Sequence, residues 1–369
     1  MRFTCVRDNL ARALLTAERF TGKNISMPVL GNILLEAGNS FLSIQATNLE
    51  YGISIQVPGK GVREGKVSVP AKIISSLIQS VKDGKVDLEG KQGGLFIKTE
   101  NREVRINGTD PDEFPLLPRI KKTASLMVEG ALLKRGLESV LPAVAPSEFK
   151  PELGGVFFKT SGKTLYLVAT DTFRLAQKII GLAQKSEGED MAFIVPFRLG
   201  QEVSRVIGEE GDEEIKLTIG ENQLLIESGH LKIVSRLIEG VFPEYSRIIP
   251  KNFETTAFLP RSALIDALRA ASICASKLQE VSLEFRGKTL EITSQNPDIG
   301  EYKTSLESQT VGREKDISFN YRYLLDGLLA LDEEEVFAGL NSWEVPALLR
   351  NKTEESLIYI VMPIRLSPQ

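Results

Sequence analysis

Apolar and polar positions alternate along residues 41 to 47 (FLSIQAT), and the same period of two returns at 164 to 170 (TLYLVAT) and 289 to 295 (TLEITSQ). A period of two sends successive side chains to opposite faces, so each stretch predicts a strand with one buried face. Before each lies another apolar strand-like run and a tight turn, at Ala37-Gly38-Asn39, Ser161-Gly162-Lys163 and Arg286-Gly287-Lys288. Three antiparallel hairpins are expected. Ahead of each the period changes to that of a helix, with apolar positions at Leu10/Leu14/Ala17, Leu133/Leu137/Val140 and Leu264/Leu268/Ala271. A second helical segment follows each hairpin, opened by VPAK (69 to 72), VPFR (195 to 198) and FNYR (319 to 322). Pro70 and Pro196 are expected at the first helical position, where a missing N–H costs nothing. Further strand pairs follow, such as KVDLEGKQGGLFIKT (85 to 99) and EIKLTIGENQLLIES (214 to 228).

The order helix, hairpin, helix, strands therefore occurs three times. LGNILLEAGNSFLSIQATNLEYGISIQV (30 to 57) aligns without a gap on LGGVFFKTSGKTLYLVATDTFRLAQKII (153 to 180), and residues 281 to 307 form a third copy. The chain reads as three α+β domains of roughly 120 residues, each with two helices on antiparallel sheets. Their limits are expected at 1–122, 123–251 and 252–369, in the polar stretches RIKKTAS and PKNFETT. Thr170-Asp171 falls where the other copies have Thr47-Asn48 and Gln295-Asn296. A short Asx side chain recurring where a strand breaks predicts a turn in which that side chain bonds its own backbone. Arg174-Leu175 does not recur, since Tyr51-Gly52 and Ile299-Gly300 stand in its place.

Composition narrows the chemistry. The chain has 369 residues, 42% hydrophobic and 25% charged. No apolar run reaches the ~18 residues that cross a bilayer, and the N-terminal stretch lacks the pattern of a signal peptide, so a cytoplasmic protein with no membrane association is expected. Cys5 and Cys274 lie far apart in apolar settings and read as buried thiols. A single histidine, His230, leaves no basis for zinc or histidine-triad chemistry, and it reads as a hairpin-turn residue. The Gly-Lys-Thr at 162 to 164 sits in a hairpin turn, whereas a phosphate loop joins a strand to a helix. The acid runs EEGDEE (209 to 214) and DEEE (332 to 335) read as solvated connectors, with two-metal phosphoryl chemistry as the alternative. No cofactor or metal is expected. The net charge is −4, yet the six helical segments carry an excess of Lys and Arg, with Lys72, Arg198 and Arg322 in one repeated place. Such a layer suits a polyanion, and it equally suits amphipathic helices whose charges face water.

The threefold copy, LPAVAPSEFKPELGGVFF (141 to 158), ATDTFRLA (169 to 176), GVFPEYSRIIP (240 to 250), FNYRYLLDGL (319 to 328) and YIVMPIRL (359 to 366) together resemble the bacterial DNA polymerase III β-subunit family, the sliding clamps. The resemblance spans essentially the whole chain. It implies a head-to-tail homodimeric ring that encircles duplex DNA without sequence preference. Such a ring is a processivity factor and not an enzyme. It would tether the replicative polymerase, the clamp loader and repair proteins through a short apolar peptide, bound between the second and third domains. Carried over by position, the peptide pocket would comprise Leu153, Thr170, Thr172, Phe173, Arg174, Leu175, Pro243, Arg247, Ile248, Leu278, Asn320, Tyr323, Pro346, Ile360, Val361, Met362, Pro363, Ile364 and Arg365. Arg174 and Arg365 would stand at its rim to hold carbonyls or carboxylates, and Pro363 would confine the C-terminal strand to a sheet edge. Lys23, Lys72, Lys150, Arg198 and Arg205 would face DNA, and Arg105 and Ile106 would meet Ile273 and Glu301 across the dimer contact. Thr172-Phe173 departs from the Gly-His pair common at that place, and Leu278 from a frequent aromatic. A hydrolase or nuclease built on the acid runs, and a repeat adhesion module, are the competing classes.

Overall fold

The nine apolar positions that set the helical period are all buried, and each belongs to a helix. In the computed structural model, which describes residues 1–91, 93–118, 120–145, 149–207 and 214–365, the six helices are α1 (Arg7–Glu18), α2 (Ala71–Ser80), α3 (Gly130–Val140), α4 (Phe197–Val206), α5 (Arg261–Ala271) and α6 (Tyr321–Ala330). The three hairpins form antiparallel, as the period of two requires. Gly162 (φ +61°) and Gly287 (φ +56°) open the two-residue loops of the second and third, where L side chains are disfavoured.

The prolines sit one residue earlier than expected. Pro70 is the N-cap of α2 and the last rung of a strand, paired with Asn32, while Pro196 ends the strand before α4. Its φ of −57° at Pro70 suits the extended-to-helical junction as well as it would suit the first turn. Two of the helical cations are internal. Arg7 donates from Nε to Ile78 O (3.1 Å) and from Nη2 to Gln79 O (2.6 Å), and Arg261 donates from Nε to Leu328 O (2.8 Å). Each closes orphan carbonyls at the end of the partner helix and adds positive charge at its negative pole.

The chain divides into two compact units. The first holds Met1–Ala131, Ser186–Glu189 and Arg205–Leu237; the second holds Leu132–Lys185, Asp190–Ser204 and Ile238–Gln369. The middle copy lends strands to both, so the compact units do not coincide with the sequence copies. In the first unit a 12-stranded sheet runs in the order Glu103–Asn107, Gly94–Lys98, Lys85–Lys91, Arg2–Val6, Tyr51–Arg63, Leu231–Arg236, Gln223–Ser228, Glu214–Ile219, Ala124–Glu129, with three further strands off this path. In the second unit a nine-stranded sheet places Arg174–Gly181 beside Leu357–Val361, and a four-stranded sheet begins at Gly300–Glu307. Glu103–Asn107 and Gly300–Glu307 each pair on one side only and end their sheets with an open edge, as does Gln309–Gly312.

Both cysteines are free. Cys5 is buried, and burial pushes its thiol up to about 12, whereas Cys274 is only half-buried because it lies in the irregular turn after α5. His230 occupies a hairpin turn, as expected. Glu209 to Glu213 of the first acid run lie outside the described residues. In the second run, Asp332 accepts from Asn351 Nδ2 (2.7 Å), and the Glu333 carboxylate accepts from Thr353 and from the Glu354 N–H (3.1 Å). That run is folded into its own loop. Among the described residues no cluster of His, Cys, Asp and Glu is placed to hold a metal, and no helix is long and apolar enough to cross a membrane.

Candidate functional site

The break between strands Thr164–Thr170 and Arg174–Gly181 is an Asx turn. Asp171 Oδ1 accepts from the N–H of Phe173 and of Arg174, both at 3.0 Å, while Thr170 Oγ1 donates to Arg174 O (2.7 Å). This geometry forces Thr172 to φ +79°, costly for a β-branched residue, and leaves Phe173 59% exposed. The second oxygen of Asp171 takes the Arg174 Nε at 2.9 Å.

Arg174 then reaches elements far away in sequence. Its Nη1 donates to Asp326 of α6 and to the hydroxyl of Tyr359 (3.2 Å), and its guanidinium lies 4.3 Å above the Tyr323 ring. The side chain is only 11% exposed. Burial works against its charge, but Tyr359, Asp326 and Asp171 outweigh it, so the guanidinium holds its proton beyond the ordinary arginine range. Burial likewise pushes the Tyr359 hydroxyl up, keeping it a donor-acceptor link in the chain. This corrects the expectation that Arg174 is a rim donor for a ligand: it is an internal tie between the turn and α6, and removing it would strand buried carboxylate.

The remaining pocket residues divide into a floor and a surface. Leu153, Leu175 and Ile360 belong to one buried cluster with Val168, Phe242 and Leu348, and Thr170 and Val361 are also buried. Thr172, Phe173, Pro243, Arg247, Ile248 and Leu278 are exposed, and Met362, Pro363 and Ile364 are half-buried. The expectation of an edge strand is corrected. Leu357–Val361 pairs with Arg174–Gly181 on one side and Ala347–Asn351 on the other, so it is central. The ladder ends at Val361, before Pro363 would be asked for an N–H. Beyond it Met362 N donates to Phe173 O (2.8 Å) and Ile364 N to Ser318 O (2.7 Å), which lays the tail across the surface. Asn320 is the N-cap of α6, its Oδ1 accepting from Arg322 N (2.9 Å), and its Nδ2 meets Gln279, next to Leu278. Pro346 is half-buried in the loop that carries Trp343, and Arg365 stacks on that indole.

Of the cations expected to face DNA, Lys23, Lys72 and Arg205 belong to the first unit and Lys150 and Arg198 to the second; all five are exposed. Lys72 and Arg198 take the second position of α2 and α4. Lys23 lies beyond the end of α1. Among the residues expected at a subunit contact, Arg105 and Glu301 are exposed on the two open edge strands and Ile273 is 69% exposed. Ile106 is only 5% exposed: strand alternation turns it into the core of its own sheet, which corrects its assignment as a contact side chain.

Sequence reasoning missed Asp326, Tyr359 and Trp343. A tyrosine in the apolar run LIYIV must find a partner for its hydroxyl, a usable signal for Tyr359. Asp326 looks like any charge of an amphipathic helix, and Trp343 sits in a loop without a period.

The whole chain matches known proteins. Residues 1–118, 127–244 and 246–365 match the N-terminal, central and C-terminal domains of the DNA polymerase III beta subunit. The beta sliding clamp of Synechocystis sp. is 30% identical over 389 residues, covering 99% of this chain and 100% of the relative. That of Staphylococcus epidermidis is 28% identical, covering 99% of each. Among solved structures, the DNA polymerase III beta subunit of Thermotoga maritima superposes with a TM-score of 0.92 at 26% identity. The Pseudomonas aeruginosa clamp bound to griselimycin does so with 0.94 at 25%; both structures cover 99% of this chain and 100% of their own. The chain belongs to the DNA polymerase III beta subunit family. It works as a DNA sliding clamp, a replication processivity factor with three clamp domains and no catalytic step.

Proposed function

We propose that two copies of the chain close head to tail into a ring around duplex DNA, and that the surface beside the Asx turn at 170 to 174 takes the short apolar peptide of a partner. The supporting observation is that Glu103–Asn107, in the first unit, and Gly300–Glu307, in the second, both end their sheets with an open edge. Unpaired edges template pairing with another chain. Two different edges on one chain favour a heterologous contact, which either closes into a ring or runs on as a filament. Arg105 and Glu301 supply opposite charges on these edges, Ile273 an exposed apolar side chain, and Ile106 supports the first edge from beneath.

Lys23, Lys72, Lys150, Arg198 and Arg205 would then meet phosphates, giving weak, salt-dependent contact without base preference. The groove for replicative polymerase, clamp loader and repair proteins would use the exposed apolar side chains Phe173, Ile248 and Leu278 with Met362, above the Leu153/Leu175/Ile360 floor. The domain limits would be 1–122, 123–251 and 252–369, supported by family matches at 1–118, 127–244 and 246–365, and the location would be cytoplasmic, as suits a replication factor. No cofactor or metal enters the reading.

The native mass tests closure: a ring of two requires about 81 kDa, twice the 40.7 kDa chain. Ile273→Asp should place an unpaired carboxylate in the contact and release folded monomers. A native monomer, or a variant that stays dimeric at low micromolar concentration, would refute this contact.

A further inference from the structure

The junction between successive copies follows one plan twice, and a cavity remains at each. In the first unit Asn9, Arg12 and Thr16 of α1, with Ile55 to Pro58 and the turn Gly229-His230, line about 470 Å³. In the second unit Leu132, Arg135 and Ser139 of α3, with Lys178 to Gly181 and the loop that ends at Ser356, line about 870 Å³. Each of these α3 and strand residues lies 123 positions after its counterpart, the offset that aligns 153 on 30. The same backbone bond closes both junctions: Gln56 N donates to His230 O (3.0 Å) and Ile179 N to Ser356 O (2.7 Å). Two differences open the second. Its connecting loop has five residues, Lys352 to Ser356, where the first has the two of Gly229-His230. Asn9 is also replaced by Leu132. Arg12 Nη2 donates to Asn9 Oδ1 (3.2 Å), whereas Leu132 offers no acceptor, and among the described residues Arg135 meets no hydrogen-bond or ion-pair partner.

Arg261, at the start of α5, also lines the larger cavity, and only its Nε is engaged, by Leu328 O (2.8 Å). Most of the lining carboxylates are committed: Asp332 to Asn351, Glu333 to Thr353, and Glu354 to Lys178 and the Ser356 N–H (3.0 Å). Glu138 is the exception among the described residues, so two guanidinium groups with open donors stand against one unpaired carboxylate. The apolar lining includes Ile180, Leu331 and Leu357, all buried, and Leu329, which is 52% exposed. A cavity of this size, apolar with a few convergent donors, has the form of a small-molecule site. We propose that it binds a small carboxylic acid with an apolar body, the carboxylate on Arg135 and Arg261 and the body against Leu132, Leu329 and Leu357. The planar fork of a guanidinium matches a carboxylate, and the apolar lining covers the rest of the ligand. The site is distinct from the peptide surface. Strand Arg174–Gly181 carries the Asx turn at its start and the cavity at its end, about 23 Å apart for seven residues at 3.3 Å each.

Three probes separate charge from body. Octanoate has both, octanamide keeps the body without the charge, and acetate keeps the charge without the body. Binding to the full-length protein at low salt is read by ligand-observed NMR and by calorimetry. Octanoate should bind about fivefold more tightly than octanamide, the size expected of an exposed Arg–carboxylate pair, and acetate should show no measurable binding. Arg135→Gln should remove the preference for octanoate over octanamide. Leu329→Trp, which fills the cavity from its exposed side, should weaken both. Arg12→Gln, at the same place in the first junction, should change neither. Melting temperatures equal to that of the parent protein exclude a folding effect. Equal binding of octanoate and octanamide, or a preference that survives Arg135→Gln, would overturn the site. So would the absence of any octanoate binding, the result expected of a junction gap that holds only water.

Discussion

The same turn is built twice, once in each compact unit, and is used differently. At Thr47 to Tyr51, Asn48 Oδ1 accepts from the N–H of Glu50 (3.0 Å) and Tyr51 (2.9 Å), Thr47 Oγ1 donates to Tyr51 O (3.0 Å), and Leu49 sits at φ +76°. At Thr170 to Arg174 every one of these bonds recurs, with Asp171 for Asn48 and Thr172 at φ +79° for Leu49. The difference lies in the last residue. Tyr51 turns inward and meets the edge of Phe20 at 5.5 Å, closing a local core. Arg174 instead ties its turn to α6 and Tyr359. The hydrogen-bonded backbone of the turn is repeated scaffold, and the distinguishing chemistry sits on the one position the repeat leaves free. An Asn suffices for the first turn, whereas the second needs Asp, because its spare oxygen must be charged to meet Arg174.

Arg174→Ala should break the contrast most severely. It leaves Asp171 and Tyr359 without their partner and Asp326 partly so, for a loss of about 2–3 kcal/mol in urea unfolding, reduced from a fully buried pair because Asp326 is partly solvated. A loss under 0.5 kcal/mol, the range of an ordinary surface change, would mean the tie is idle. Met362→Asp comes next and probes the surface rather than the frame. A charge beside Phe173 should weaken a Gln-and-Leu-rich peptide at least about tenfold, or 1.4 kcal/mol, with the native mass unchanged. Unaltered affinity would remove the tail from the groove. Asp171→Asn converts the second turn chemically into the first: the Asx bonds persist, the ion pair does not, and about 1 kcal/mol should go, whereas the reverse change Asn48→Asp should be nearly neutral. Equal effects would make the two turns equivalent. Smallest of all, Leu49→Gly and Thr172→Gly should each relieve the positive φ, shifting stability by no more than about 1 kcal/mol and by similar amounts.

Much of this is legible in the amino-acid sequence. Periods of two and of 3.6 located hairpins and helices, and the repeat identified the Asx turn, because those features depend on neighbours within a few residues. What was not legible depends on distance. Arg174 meets Asp326 and Tyr359 across 152 and 185 positions, and nothing local distinguishes a tied arginine from a rim arginine. The central place of Leu357–Val361 comes from the strand it finds in the middle copy, so Pro363 gave the right stop and the wrong edge. Ile106 followed the same logic. Its membership of an edge strand could be inferred from resemblance, while the face it presents is fixed by register with Leu95.

The central claim is topological, and retention on DNA tests it most directly. The protein is loaded by a bacterial clamp loader onto closed circular DNA and onto the same DNA linearised, and bound clamp is followed by gel filtration at a salt concentration that abolishes phosphate contacts. A ring should remain on the circle and run off the linear ends, because encirclement survives when the salt-sensitive term is gone. Equal retention on circular and linear DNA, or equal loss from both, would contradict the account.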